Sequence, residues 1–387
     1  MRLLTVAGEL SGDAHGGALL TGLRRHLPGL KPFGIGGPRM LEAGLDPLYP
    51  LSALEVHGLL EILSHLPRLY RVLGRLEREL ERNLPDAVLL IDYPGFNLKL
   101  ARAAKRRGVP VYYYCSPQIW AWRGGRIRTI ARVVDLMPVL FPFEAPLYHR
   151  AGVQAAFLGH PLVGVKAREE AVSALRERLD GPAGLPVVAV MPGSRASELQ
   201  RNLGVMLGAI RLIEQSGFRA RYVIPIAPSL RAADVRRTVQ ASGVDAVALE
   251  DAFLPLLQIA KLAIVATGTA TLQTAMAGIP FLAVYRVSPL SYFIAKRFTY
   301  LSHMAIVNIL AGREIVPELL QNDFTPERVC EAFLAIARDP ARQQRMKDDL
   351  AQASAQLGEP GAYERAADLL AARLRGQTSP AAHPSSA

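Results

Sequence analysis

Short uninterrupted apolar runs, each ending in a small or polar turn and followed by a helical period, constrain this chain more than any other feature. Residues 3–7 lead into a glycine-rich turn at 8–12 and then a helix at 13–27 marked by Leu19, Leu20 and Leu23. Ala87, Val88, Leu89, Leu90 and Ile91 run without a break to Asp92, before a basic helix at about 98–107 and a strand at 109–114. An apolar strand with no polar alternation is buried on both faces, which is the habit of parallel sheets. Parallel neighbours in turn need helical crossovers. After Gly164 the period is helical up to Arg178, and Asp180, Gly181, Pro182, Ala183 and Gly184 then break the chain. The same grammar restarts, with strands at 187–191, 221–226 and 262–266 and helices at 203–216 and 270–277. The pattern predicts an α/β protein of two Rossmann-like domains facing each other across a cleft, with a single large sheet as the alternative.

The predicted domains are 1–165 and 185–350, followed by helices at 351–373 that pack back on the first domain and a disordered tail at 374–387. A chain of 387 residues is longer than one core usually sustains, which agrees. Half of the residues are apolar and one fifth charged, which excludes a disordered class. The formal charge of +11 fits an anionic partner, whether nucleotide diphosphate, phospholipid surface or nucleic acid, and fits solubility equally well. Cys115 and Cys330 are too few for a disulfide framework, so a reducing cytoplasm is expected. No secretory segment and no apolar run of membrane-spanning length (~20 residues) is read.

Four segments carry the candidate chemistry. The first, Gly8 to Gly17, contains Glu9, Ser11, Asp13 and His15 at the C-terminal end of a strand, where open α/β sheets bind ligands. It lacks both dinucleotide and P-loop spacing, and its carboxylates repel phosphate, so an acceptor hydroxyl fits better. Ser11 or Asp13 as an ordinary helix cap is the competing reading. In the second, Asp92 ends the best-defined strand, placed either to take a proton from an attacking hydroxyl or to cap the helix that follows. The third holds Trp120, Trp122 and Arg123, with Arg126, Arg128 and Arg132 close behind, an aromatic and basic surface for something anionic or a core Trp beside a solvated helix. The interleaving occurs once and matches no nucleic-acid module, so no nucleic-acid partner is expected.

The fourth is a pair of loops. Gly193, Ser194 and Arg195 follow a strand and precede a helix near Ser197, so backbone N–H groups, a helix dipole and a guanidinium converge on one anion seat. Gly268, Thr269, Ala270, Thr271 and Gln273 repeat the arrangement after a later strand. Together they predict a nucleotide or sugar-phosphate site. The eight histidines show no metalloprotease or zinc spacing, so no metal and no other cofactor is expected. No serine nucleophile elbow is present either.

Taken in order, these motifs resemble the lipid-A-disaccharide synthase family. The resemblance covers about 3–374 and rests on Gly8-Glu9-Leu10-Ser11-Gly12-Asp13, Gly34-Ile35-Gly36-Gly37-Pro38, Ile91-Asp92-Tyr93-Pro94-Gly95-Phe96-Asn97 and Ser116-Pro117-Gln118-Ile119-Trp120-Ala121-Trp122-Arg123. It continues in Phe157-Leu158-Gly159-His160-Pro161-Leu162, Pro192-Gly193-Ser194-Arg195, Gly268-Thr269-Ala270-Thr271-Leu272, Asn308-Ile309-Leu310-Ala311-Gly312 and Val316-Pro317-Glu318-Leu319-Leu320-Gln321. It implies the two-domain GT-B glycosyltransferase fold and inverting transfer from UDP-2,3-diacylglucosamine to 2,3-diacylglucosamine 1-phosphate, forming a β-1,6 bond and releasing UDP. It further implies critical roles for Asp92, as the base, and Arg195. Peripheral work at the cytoplasmic face of the inner membrane and a homodimer with exchanged C-terminal segments are implied too. Asn308 joins the donor-side residues on the same basis. Trp120, Trp122 and Arg123 become candidates for membrane or acyl contact, as does the leucine period Leu59, Leu60, Leu63, Leu66, Leu69, Leu73 and Leu76, although a core-facing helix is the simpler account of it.

The chain departs from the family pattern at Leu10, where Ala is usual, and at Ile306-Val307-Asn308, where Leu-Pro-Asn is usual. The larger departure is Gln273, which stands where an acidic residue commonly bonds the donor ribose; an amide oxygen accepts more weakly than a carboxylate. The competing functions are a related GT-B transferase or UDP-sugar epimerase on a non-lipid substrate, and a non-catalytic nucleotide or lipid binder.

Overall fold

The computed structural model describes residues 1–54, 59–121, 124–179, 184–288 and 302–376, with side chains from residue 66 onwards in the helix that opens at Leu59. Trp122, Arg123, the side chains of Leu59, Leu60 and Leu63 and the expected tail beyond 376 lie outside the described residues. The chain forms two compact units, Met1–Val163 with Gly358–Ala387, and Gly164–Leu357. The break expected at 180–184 therefore falls inside the second unit, and the chain changes unit at Val163. The return is also narrower than expected. Helix Pro340–Ala355 stays with the second unit, and helix Ala362–Leu374 belongs to the first.

The first unit contains strands β1 (Arg2–Ala7), β2 (Lys31–Gly36), β3 (Asp46–Pro50), β4 (Ala87–Ile91) and β5 (Val111–Tyr114) in the order β3-β2-β1-β4-β5. All four pairings are parallel. A small pair, β6 (Met137–Val139) with β7 (Ala155–Phe157), follows. The unbroken apolar runs are explained by burial on both sides. Val88 and Leu90 pack with Leu76, Leu80, Leu100 and Ala104, while Leu89 and Ile91 face Leu19, Leu20, Leu23 and Leu370. Leu73, Leu76 and Leu80 of helix Leu59–Arg82 are buried in the first of these clusters, so this part of the leucine period is core rather than membrane contact.

The second unit has β8 (Val187–Met191), β9 (Arg221–Ile226), β10 (Ala246–Glu250), β11 (Leu262–Ala266), β12 (Phe281–Tyr285) and β13 (Glu318–Leu320), ordered β10-β9-β8-β11-β12-β13. Every pairing is again parallel. Two separate sheets replace the single-sheet alternative. In each, the order reverses direction beside the unit's first strand, between β1 and β4 and between β8 and β11. Helices leave such a switch point on opposite faces, which opens a crevice at the strands' C-terminal ends.

Candidate active site

In the first unit, the register pairs Ala7 with Ile91, so Gly8 and Asp92 leave the sheet side by side at the switch point. Asp92 and Tyr93 both have φ of +48°, in the left-handed region that side chains other than glycine rarely adopt. Two successive such residues turn the chain sharply from β4 into helix Pro94–Arg106. Fixed contacts hold the turn: the Asp92 carbonyl accepts from Asn97 Nδ2 at 2.8 Å and the Tyr113 hydroxyl at 2.5 Å, and the Asp92 N–H donates to the Tyr114 carbonyl at 3.0 Å. The Tyr93 ring fills the space where a side chain at Gly8 would stand, since a Cβ there would lie 2.2 Å from Tyr93 Cγ.

The Asp92 carboxyl is not the cap of the following helix, whose N-cap is Tyr93 with no side-chain bond. Burial pushes this carboxyl from 3.8 up to about 6, against a bond from the Tyr93 N–H that favours the charged form, and the charge of Glu9 raises it further. A partly desolvated carboxylate with a pKa near neutrality, presented at a switch point, is equipped to accept a proton.

The four candidates around Gly8–Gly17 have different fates. Helix Leu10–His26 begins earlier than expected, with Glu9 as N-cap, so neither Ser11 nor Asp13 caps it. Glu9 and Ser11 are exposed at its opening. Asp13 is buried and is withdrawn as an acceptor ligand: its carboxylate accepts the N–H groups of Gly37 (2.7 Å), Arg39 (3.0 Å) and Met40 (3.0 Å), pinning the start of helix Pro38–Glu42. His15 Nδ1 lies 2.7 Å from the Tyr363 hydroxyl, and its ring contacts Tyr114 and Tyr363. Burial lowers His15 to about 4, so it is neutral at physiological pH.

The described part of the aromatic segment is tied to a buried carboxylate. Glu144, 2% exposed, accepts Ser116 Oγ (2.5 Å), Trp120 Nε1 (3.0 Å) and the N–H groups of Leu140 (3.1 Å) and Phe141 (3.0 Å). Trp120 also meets Phe143 edge to face. Its indole N–H thus serves an internal carboxylate, while the residue as a whole is only half-buried.

In the second unit, a cavity of about 1000 Å³ opens beside the β8–β11 switch point. Its wall includes Gly193, Ser194, Arg195, Gly268, Thr269, Ala270 and Gln273 of the two expected loops. The first loop is anchored by the buried amide of Asn202, which donates to the Pro192 carbonyl at 2.8 Å. The Arg195 side chain is 72% exposed, with Glu198 at 3.4 Å. Helix Thr269–Met276 opens with the N–H groups of Thr269 and Ala270, which precede the first intrahelical bonds, while the Thr271 N–H donates to the Gly268 carbonyl at 3.1 Å.

Two donor-side assignments are corrected. The Thr271 hydroxyl donates to the Gly268 carbonyl at 2.6 Å and is buried, shaping the turn behind the cavity wall. Asn308 is buried with both ends of its amide engaged. Its Nδ2 donates to the Val316 carbonyl (2.9 Å) and Glu318 Oε1 (2.7 Å), and its Oδ1 accepts from Ile315 and Val316 N–H. It braces a loop and is not part of the cavity lining. Sequence reasoning passed over Lys166, Arg168, Glu198 and Tyr285, which also line it. The two cations follow the break at Gly164, and only the fold shows that this connection returns along the mouth of the second sheet.

Two Rossmann-like units, each a parallel sheet with a switch point beside its first strand, are the architecture of the GT-B class of α/β fold. A putative UDP-N-acetylglucosamine 2-epimerase from Listeria monocytogenes shares it, with a TM-score of 0.64 at 14% identity over 97% of each chain. So does MurG of Acinetobacter baumannii, with a TM-score of 0.57 at 17% identity over 95% of this chain and 98% of that one. The family model for lipid-A-disaccharide synthetase matches residues 3–372. The lipid-A-disaccharide synthase of Geobacter sulfurreducens is 40% identical over 373 residues, covering 95% of this chain and 96% of the relative. The chain belongs to the lipid-A-disaccharide synthase family.

Proposed function

We propose that the protein joins UDP-2,3-diacylglucosamine to 2,3-diacylglucosamine 1-phosphate. In this reaction the acceptor 6-hydroxyl attacks the donor's anomeric carbon from the face opposite the diphosphate. The new C–O bond forms as the bond to the phosphate oxygen breaks, UDP leaves with that electron pair, and configuration inverts to a β-1,6 linkage. The hydroxyl proton passes to the Asp92 carboxylate. Charge growing on the leaving diphosphate is met by Arg195 and the N–H groups opening helix Thr269–Met276, with Lys166 and Arg168 adding positive potential. These interactions strengthen as charge develops, so they act on kcat rather than on binding alone. Gln273 takes the donor ribose. Peripheral membrane association follows from two acylated substrates, and among the described residues no helix is long and apolar enough to cross a bilayer.

The observation that carries this reading is the raised carboxyl of Asp92 in a strained turn at a parallel-sheet switch point. Arg195→Ala tests the other half of the chemistry. We expect kcat to fall roughly 10²-fold or more, the cost of removing one charge-stabilising donor. A rise in the donor KM with intact kcat would make Arg195 a ground-state binder instead.

A further inference from the structure

The anion seat of the second unit is already occupied by the protein itself. Glu198 lies three residues beyond Arg195 on helix Ala196–Gln215, and its carboxylate turns back into the loop. Its Oε2 accepts the Ser194 N–H at 3.0 Å and the Arg195 N–H at 3.3 Å, while Oε1 lies 3.4 Å from Arg195 Nη1. Gly193, at φ +118°, makes room for it: a Cβ there would lie 2.5 Å from Glu198 Oε2. The Glu198 side chain is 19% exposed and lines the same cavity. The two backbone donors and the guanidinium with which this loop would meet a phosphate are therefore the groups that Glu198 holds.

We propose that Glu198 is an internal stand-in for the donor's phosphate, holding the Ser194–Arg195 seat in the free protein and yielding it when the diphosphate enters. The inference rests on the reading of this cavity as the nucleotide-sugar site. Physical logic supports a stand-in rather than a simple cap. Ser194 and Arg195 are exposed, so water could serve their N–H groups, yet one carboxylate takes both together with the guanidinium and so keeps the loop in the shape in which it would meet a phosphate. A carboxylate and a diphosphate cannot share two donors, because like charges at that separation repel strongly. Glu198 also has somewhere to go. Arg201 follows it by three positions on the same helix, and the Tyr285 hydroxyl is close enough for the Glu198 charge to act on it. The device trades affinity for release: UDP leaves a seat for which a carboxylate is waiting.

The test is calorimetry of UDP and uridine on the whole protein, wild type against Glu198→Gln and Glu198→Asp. Gln removes the charge while leaving an oxygen to accept one N–H, and Asp keeps the charge but is too short to reach both. The proposal expects Glu198→Gln to bind UDP about tenfold more tightly, equivalent to ~1.4 kcal/mol, with uridine affinity unchanged because uridine carries no phosphate. Glu198→Asp should show a smaller gain of the same sign. Equal or weaker UDP binding in Glu198→Gln would overturn the proposal and make Glu198 a structural cap. A parallel change in uridine binding would overturn it as well. Should Glu198→Gln show no cooperative melting, Glu198→Asp decides on the same criteria. Failure of the wild type and both variants to bind UDP would instead remove the donor reading on which the inference stands.

Discussion

At Asp92 the backbone and the side chain make one device. The left-handed turn lifts the carboxyl out of the sheet, and burial then raises its proton affinity. Asn tolerates the left-handed region better than most residues, so Asp92→Asn keeps the turn while removing the base. Turnover should drop roughly 10²- to 10⁴-fold with UDP binding intact, and near-normal turnover would move the base assignment to Glu9 or His15. The pH dependence has a definite sign. With Asp92 as the proposed base its ionised form is the active one, so wild-type kcat should climb as pH rises through about 6, and Asp92→Asn should lose that limb. Stability runs the other way. A carboxyl raised from 3.8 to about 6 on folding is harmless below pH 3.8, and its burial costs stability as pH rises through 6. Asp92→Asn should therefore gain on the order of 2 kcal/mol at pH 7–8, a gain absent near pH 3.5; thermal melts at both pH values would show it. A second residue-scale expectation concerns Gln273. Its replacement by Glu should tighten UDP by about 1 kcal/mol, and calorimetry giving equal or weaker affinity would mean the pocket is tuned to the amide.

Among the elements, legibility tracked the kind of burial. The strands at 187–191, 221–226 and 262–266 and that ending at Ile91 were readable to the residue, because burial on both faces leaves an unbroken apolar run. Strands β2 and β3 were not read. Their sequences, KPFGIG and DPLYP, carry the proline and glycine that ordinarily mark turns. The opening helix, expected at 13–27, starts earlier, at Leu10, for a related reason. Gly12 reads as the end of a turn, yet it lies in the helix, and Gly16 and Gly17 further along let the helix approach its neighbours: a Cβ at Gly16 would sit 2.5 Å from Met40 Sδ, and one at Gly17 2.7 Å from the Arg39 carbonyl. Packing, not turning, is what these glycines serve. The capping duty of Asp13 was equally invisible, because its partners lie 24 to 27 residues away. The same logic applies to helix Ala362–Leu374, which lies against helix Leu10–His26 so closely that a Cβ at Gly22 would be 2.7 Å from Ala367 Cβ. Gly22→Leu should destabilise the first unit by about 1–3 kcal/mol and loosen the Tyr363–His15 contact. Denaturant unfolding unchanged by the substitution would mean that the helices can part without cost.

On the scale of the molecule, the chain repeats one parallel-sheet order, with a sixth strand added in the second unit, and presents different side chains at each switch point. One carries the carboxyl proposed as proton acceptor and the other the loops proposed to seat an anion, and both loops are legible in the sequence because polar residues there interrupt apolar runs. The first domain expected at 1–165 compares with a unit that ends at Val163, while the break at 180–184 that looked like a linker lies inside the second unit. Cations rather than a metal are expected to answer the diphosphate, with Arg195, Lys166 and Arg168 on the cavity wall. Turnover in a strong chelator should equal that in buffer, and its loss with recovery on adding magnesium or manganese would reverse that assignment.

The central claim is the transfer itself, and it is tested by incubating the protein with UDP-2,3-diacylglucosamine and 2,3-diacylglucosamine 1-phosphate and resolving the products by mass. The account predicts one acylated disaccharide monophosphate for each UDP released, with neither product formed by Asp92→Asn at a comparable rate. Binding of UDP without any disaccharide, or turnover of an unacylated UDP-sugar in place of the acylated pair, would contradict it.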